Sequence, residues 1–376
     1  MDPIYLDHNA TTPVDPRVAA AMQPWLGGGF GNPSSAHALG RAARQAVDRA
    51  RGQVADLLGC APDEVVFTSG GTEADNHAIL GTAYARRGHG RHIVTSVVDH
   101  PAVLEPCAWL ETEGWRVTRL PVDAQGRVSP ADLERSIDDE TVLVTIMHAN
   151  NEVGTIEPIR ALADVAHAHG AWLHTDAAQS VGKIPVKVDD LGADLLTVAG
   201  HKVYAPKGVG ALYIRRGIMP APLLRGAGHE SGRRAGTEAV PSIVGLGEAC
   251  ELAAAGLAAE SVRLAALRDH LAAALGARYP DARVHAQAVA RLPNTLSIAL
   301  PGHSALEILA RVGDELAASA GAACHANTDT VSGVLAAMGV PPAVARGTLR
   351  LSVGRGTTDA QIARAIDVLA AAIGSP

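Results

Sequence analysis

Residues 64–80 read EVVFTSGGTEADNHAIL. Val65, Val66 and Phe67 make a short β-rich run, Gly70 and Gly71 break it, and a helical pattern follows. The order is strand, tight turn, helix N-terminus, and it is the repeating unit of an α/β fold. The same turn, SGGTE (69–73), is a candidate phosphate cradle. Glycines let backbone approach an anion, Thr72 offers a hydroxyl, and the first turn of a helix supplies free N–H groups and a positive dipole end. The plain alternative is a tight turn with a threonine cap. It is not a Walker loop, and it lacks the G-x-G-x-x-G dinucleotide pattern.

The alternation continues on both sides. Upstream, in residues 34–59, Leu39, Ala43, Val47, Val54 and Leu58 recur near a 3.6 spacing among arginines and acids, predicting an amphipathic helix. Downstream, HIVTSVV (92–98) and TVLVTIM (141–147) read as buried strands. Between them SPADLERSI starts a helix, with Ser129 as N-cap and Pro130 at its first position. IRALADVAHAHG (159–170) is a helix ended by glycine, and AWLHTDAA (171–178), DLLTVAGHK (194–202) and GALYIRR (210–216) are further strands. Strands alternating with helices imply a mainly parallel central sheet covered on both faces. Composition shifts near residue 245 to a long Ala/Leu-rich helical stretch, followed by a smaller α+β C-terminal domain. Its last helix opens with a capping box, Thr358 and Gln361. We expect a large domain over 15–250, and a small one from 1–14 plus 251–376.

Composition bounds the function. The 376 residues are 47% hydrophobic and 19% charged, which excludes a disordered chain. A net charge of −7 argues against nonspecific nucleic-acid binding. No uninterrupted apolar run reaches the roughly 18–20 residues of a membrane span. MDPIYLDHNATTP has no basic and apolar leader, so a cytoplasmic protein is expected. Cys60, Cys107, Cys250 and Cys324 contain no C-x-x-C pair, and three should pack as small hydrophobes. His167 and His169 lie two apart on a helix and point different ways, so no metal site is expected.

Open α/β sheets bind ligands outside the carboxyl ends of their strands. Four polar clusters fall at such ends: Gly70-Gly71-Thr72, His148 through Glu152, Asp176 with Gln179, and His201-Lys202. Only Lys183, Lys187, Lys202 and Lys207 are lysines, so chemistry needing a primary amine has four candidates. For Lys183 and Lys187 a solvated charge is the expected role. Asp176 is either a helix cap or a carboxylate facing a heteroaromatic nitrogen. A strand-end lysine, an anchored aspartate and an upstream phosphate cradle are the set a pyridoxal phosphate (PLP) enzyme needs.

The motifs YLDHNATTP, GNPSS, VVFTSGGTEADN, HANNEVG, HTDAAQSVGK, GHKVYAPKGVGALY, GRRAGTE, LPNTLSI, SAGAACHA and LRLSVGR run from residue 5 to residue 355. Together they resemble the cysteine desulfurase/selenocysteine lyase family of fold-type I PLP enzymes. The resemblance implies that His100 stacks on the pyridine ring and handles protons, Asn151 bonds the phenolic oxygen, Asp176 pairs with the ring nitrogen, and Gln179 also contacts the cofactor. It implies phosphate contacts from Gly71, Thr72 and His201, joined by Thr237 from a partner subunit of a homodimer. Lys202 would be the Schiff-base lysine. Arg350, with Asn32 near it, would bind the substrate carboxylate. Cys324 would be the nucleophile that takes sulfur as a persulfide before an acceptor protein receives it.

Ala199 departs from the family's frequent phosphate-binding serine, His8 stands where tyrosine or asparagine is common, and Ser231 and Ala239 alter the arginine-glycine run. GAACHANTDT is nearer the selenocysteine lyase branch than the serine-rich SGSACTS branch. The implied reaction is conversion of L-cysteine to L-alanine. The alternatives are release of selenium from L-selenocysteine, another PLP-dependent lyase or aminotransferase reaction, and a sulfur-relay subunit without turnover.

Overall fold

The computed structural model describes residues 3–320 and 331–374. Chain order begins with β1 (Ile4–Tyr5), α1 (Pro16–Leu26) and α2 (Ala38–Leu58), and then enters the central sheet. Its strands are β2 (Val65–Thr68), β3 (His92–Ser96), β4 (Arg116–Leu120), β5 (Thr141–Thr145), β6 (Trp172–Asp176), β7 (Leu195–Ala199) and β8 (Gly210–Ile214). Their order across the sheet is β2-β8-β7-β6-β5-β3-β4. β8 runs antiparallel to both β2 and β7, and all other pairs are parallel. The carboxyl ends of β2, β3, β5, β6 and β7 therefore share one edge. The order reverses between β3 and β5, and that switch point opens a crevice at this edge.

Each expected strand is present, but several stop two or three residues early. β3 ends at Ser96, β5 at Thr145 and β6 at Asp176, because the following residues turn over the sheet edge. α2 buries Ala43, Val47, Val54 and Leu58 as its periodicity predicts, whereas Leu39 is 46% exposed. Leu39 lies in the first turn, where the neighbouring Gly31 backbone, not a side-chain pocket, meets the helix.

A second, antiparallel sheet joins Ser319–Ala320, Thr348–Ser352, Thr295–Ala299 and Arg283–Val284 in that order. β1 pairs in parallel with Leu316–Ala317 beside it. Four apolar clusters form among the described residues, and two of them mark the two sheets. One joins α1 and α2 to the central sheet, and the other holds Ile4, Leu6, Leu296, Ile298, Leu349 and Leu351. The helix Val240–Arg278 spans both, burying Ile243, Leu246 and Cys250 in the first core and Leu264, Leu267 and Leu271 in the second. By length and hydropathy it could cross a membrane, which the sequence reading does not expect. Part of its apolar surface is spent on these two cores, while Val262 is 72% exposed. Cys107 and Cys250 are buried and Cys60 is half-buried, all in apolar surroundings that push each thiol up to about 12.

Candidate active site

A cleft of about 260 Å³ lies at the strand-end edge, lined among others by Thr72, His100, Asn151, Asp176, Gln179 and Lys202. Gly70 leaves β2 at φ 153°, ψ −177°, a conformation essentially restricted to glycine. That turn starts α3 (Gly71–Arg86), whose first residues Gly71 and Thr72 line the cleft. A Cβ on Gly71 would come within 3.2 Å of the Ala199 methyl, so the turn sits directly against the end of β7.

The switch point is tied by Asp99. Its Oδ2 accepts from Ser96 N–H at 3.0 Å and its Oδ1 from Met147 N–H at 2.7 Å, joining the loops after β3 and β5. This fixes His100, the N-cap of α4 (Pro101–Thr112). His100 Nδ1 accepts from Ala102 N–H at 3.1 Å, so the neutral ring carries its proton on Nε2 and presents a donor. Burial lowers its proton affinity, Asp176 raises it and Lys202 lowers it again, with a net fall.

Asp176 closes β6. Its Oδ1 accepts from Ala178 N–H at 2.8 Å. Burial pushes this carboxyl above the usual carboxylate range, while the Ala178 N–H, His100 and Lys202 favour its charged form. Asp75, one turn into α3, is buried beside it, and burial and the Asp176 charge raise its proton affinity well above normal. Across the cleft the charge is positive. Lys202 Nζ donates to the Asn9 carbonyl and, at 2.9 Å, to the Ala10 carbonyl. His201 Nδ1 lies 3.1 Å from Thr11 Oγ1, and burial followed by Lys202 lowers its pKa to about 4, leaving it neutral.

The expected residues Gly71, Thr72, His100, Asn151, Asp176, Gln179, His201 and Lys202 thus converge on one cleft. Arg350 sits on the neighbouring strand Thr348–Ser352. It donates to Asp7 Oδ1 at 2.8 Å, Ser319 Oγ at 3.0 Å and the Asn151 carbonyl at 3.3 Å. Its buried Nε has no partner among the described residues. Asn32 and Thr237 are exposed and do not line the cleft. Cys324 lies outside the described residues. Sequence reasoning assigned nothing to Asn9, yet it is central. Its Nδ2 donates to Thr295 Oγ1 at 2.8 Å and to the Asn151 carbonyl at 3.1 Å. Lys183, expected to be a solvated charge, is instead buried.

The donor set fits PLP. Helix N–H groups, Thr72, His201 and Lys202 form an anion-receiving end. Asp176 is a buried carboxylate suited to a protonated ring nitrogen, and Ala102, Met147, Ala149 and Ala178 give apolar walls. The family Aminotransferase class-V matches residues 4–364. Over 369 residues the chain is 46% identical to cysteine desulfurase IscS of Dictyoglomus turgidum, covering 97% of this chain and 93% of that one. A cysteine desulfurase of Gluconacetobacter diazotrophicus is 48% identical over 374 residues, covering 98% and 93%. Among solved structures, a NifS-like protein superposes with TM-score 0.92 at 35% identity and 98% coverage of both chains. SspA in complex with cysteine superposes with TM-score 0.83 at 38% identity, covering 93% and 98%. The fold, the cleft and these likenesses agree: the chain belongs to the class-V aminotransferase family, in its cysteine desulfurase branch.

Proposed function

We propose that this protein is a PLP-dependent cysteine desulfurase that converts L-cysteine to L-alanine and transfers the sulfur through Cys324 to an acceptor protein. The observation that carries the reading is the meeting of Asp176, His100, Lys202 and the α3 N-terminus in one cleft of a chain 46% identical to a cysteine desulfurase. Cysteine is also the molecule bound by SspA, whose chain superposes on this one.

When bound, PLP supplies a conjugated electron-withdrawing ring that stabilises negative charge at the substrate's carbon atoms. Asp176 would hold the ring nitrogen through its carboxylate. Gly71, Thr72 and His201 would hold the phosphate, with one hydroxyl fewer than a serine at position 199 would give. Asn151 and Gln179 would hold the ring substituents, and Lys202 would be the amine that carries the cofactor. His100 would offer its Nε2 proton. Arg350 would receive the substrate carboxylate, whereas Asn32, expected beside it, is exposed and does not line the cleft. Cys324 thiolate attacks the substrate sulfur. An S–S bond forms, the C–S bond breaks, and its electron pair stays on the substrate carbon, which takes a proton to become the alanine methyl.

The assignment of residues 15–250 to a large domain, and of 1–14 with 251–376 to a small one, is supported by the two apolar cores. We also assign a homodimer, supported by Thr237, which is exposed and away from its own chain's cleft. The test is alanine and sulfide release from L-cysteine, run in parallel with selenocysteine. Alanine with persulfide on Cys324 is expected. Turnover of selenocysteine alone would overturn the reading in favour of a selenocysteine lyase.

A further inference from the structure

Lys183 is 7% exposed, although lysine is among the residue types least often withdrawn from solvent. The chain is steered inward by Gly182, which sits at φ +75°. A Cβ there would be strained and would lie 3.2 Å from Ala253 Cβ and Val203 Cγ1. Lys183 consequently enters a small cavity of about 30 Å³ that Lys202, Tyr204, Glu260 and Arg355 also line. Lys202 lines both this cavity and the cleft.

Lys183 Nζ donates to Gln179 Oε1 at 3.0 Å. Gln179 Nε2 donates to the Asn9 carbonyl at 3.0 Å. Lys202 Nζ donates to that same carbonyl. A carboxamide has one accepting and one donating end. Turning Gln179 over would set its oxygen against the Asn9 carbonyl and its NH2 against the lysine amine, two contacts of the wrong sign. Burial, then the charges of Lys202 and Arg350, bring the Lys183 amine down to about 7. As an ammonium it has donors and no acceptor, and in that form it fixes which end of the Gln179 carboxamide it meets.

We propose that Lys183 is a positioning residue for the reaction: it locks the Gln179 carboxamide with its NH2 group towards Asn9, which leaves the second N–H for the cofactor. The inference rests on the function proposed above. It assigns work to a lysine that touches neither substrate nor cofactor.

The test is a cycle of Lys183→Met, Gln179→Leu and the double variant, each stripped of PLP and titrated with it. Folding is checked by circular dichroism. Leaving a buried acceptor unmet predicts about ten-fold weaker PLP binding for Lys183→Met. The double variant should bind no more weakly than Gln179→Leu alone. The pH midpoint of the bound cofactor's visible band should move equally in Lys183→Met and Gln179→Leu, which general loosening would not produce. Parent-like affinity in Lys183→Met, or penalties that multiply in the double variant, would overturn the proposal. If Lys183→Met does not fold, Gln179→Glu serves instead: it keeps the acceptor for Lys183 but loses the N–H. Parent-like PLP affinity there overturns the proposal equally. A parent chain that binds no PLP would refute the proposed function itself, an outcome separate from these.

Discussion

Replacing Glu230 by alanine is expected to destabilise the protein by about 3–5 kcal/mol, although the residue does not line the cleft. Its carboxylate accepts from Arg51 Nη1 at 2.6 Å, Arg51 Nη2 at 2.7 Å and Phe67 N–H at 3.0 Å. The two side chains are only 12% and 2% exposed, so removing the acid leaves the Arg51 charge without a counter-ion, with only the Val65 carbonyl at 2.8 Å, and the Phe67 amide unmatched. Arg216 and Asp63 form an ion pair of similar length at 2.9 Å, but are 71% and 65% exposed. Solvent screens this exposed pair, so Asp63→Ala should leave stability close to that of the parent. Glu230 also sits at φ 51°, so Glu230→Gly should be less damaging than Glu230→Ala by about 1 kcal/mol. The assay is urea unfolding of the four chains, followed by tryptophan fluorescence and compared at equal slope. Glu230→Ala and Asp63→Ala falling within 1 kcal/mol of each other (about a factor of five) would refute the argument that burial sets the magnitude.

Lys202→Ala should lose the visible cofactor band and all turnover. A variant that stays yellow and active would show that another amine carries the cofactor. Cys324→Ala should bind PLP normally, lose nearly all activity on cysteine and keep measurable activity on selenocysteine. Mass spectrometry of the parent after brief exposure to cysteine should find one extra sulfur, about 32 Da, on the Cys324 peptide. Burial lowers the His148 pKa to about 4, below its unfolded value. Its contribution is thus present above about pH 6.5 and is lost as pH falls towards 4. At 1.36 kcal/mol per unit this amounts to about 3 kcal/mol, and melting of His148→Gln should fall less steeply between pH 7 and 4 than melting of the parent.

Most of the cleft was legible because its residues are strand ends, and strand ends can be found from apolar runs. Lys202 follows β7, Asp176 closes β6 and His100 follows β3, each visible as a polar residue after a hydrophobic segment. Asn9 was not legible in this way. It belongs to no long element, and its place depends on a parallel pairing of β1 with Leu316–Ala317, over three hundred positions away. Lys183 was misjudged for a related reason. A lone lysine after a turn is ordinarily solvated, and only the left-handed bend at Gly182 and the packing of the helix Val240–Arg278 over it take it out of water. Strand boundaries ran long because Val98, Ile146 and Met147 are as apolar as the strands they follow but are buried in the turns beyond, and Val97 beside them is half-buried.

The helix Val240–Arg278 has 39 residues, about 58 Å at the usual rise. Between its last contact with the first core, Ala253, and its first with the second, Leu264, Gly256 is the single glycine and there is no proline. A beam of this kind transmits bending and does not hinge freely. Swinging the small sheet away from the large one would flex the beam and pull on the Asn9 carbonyl that Lys202 and Gln179 share. The unbroken helix thus keeps the floor of the cleft in register with the small sheet.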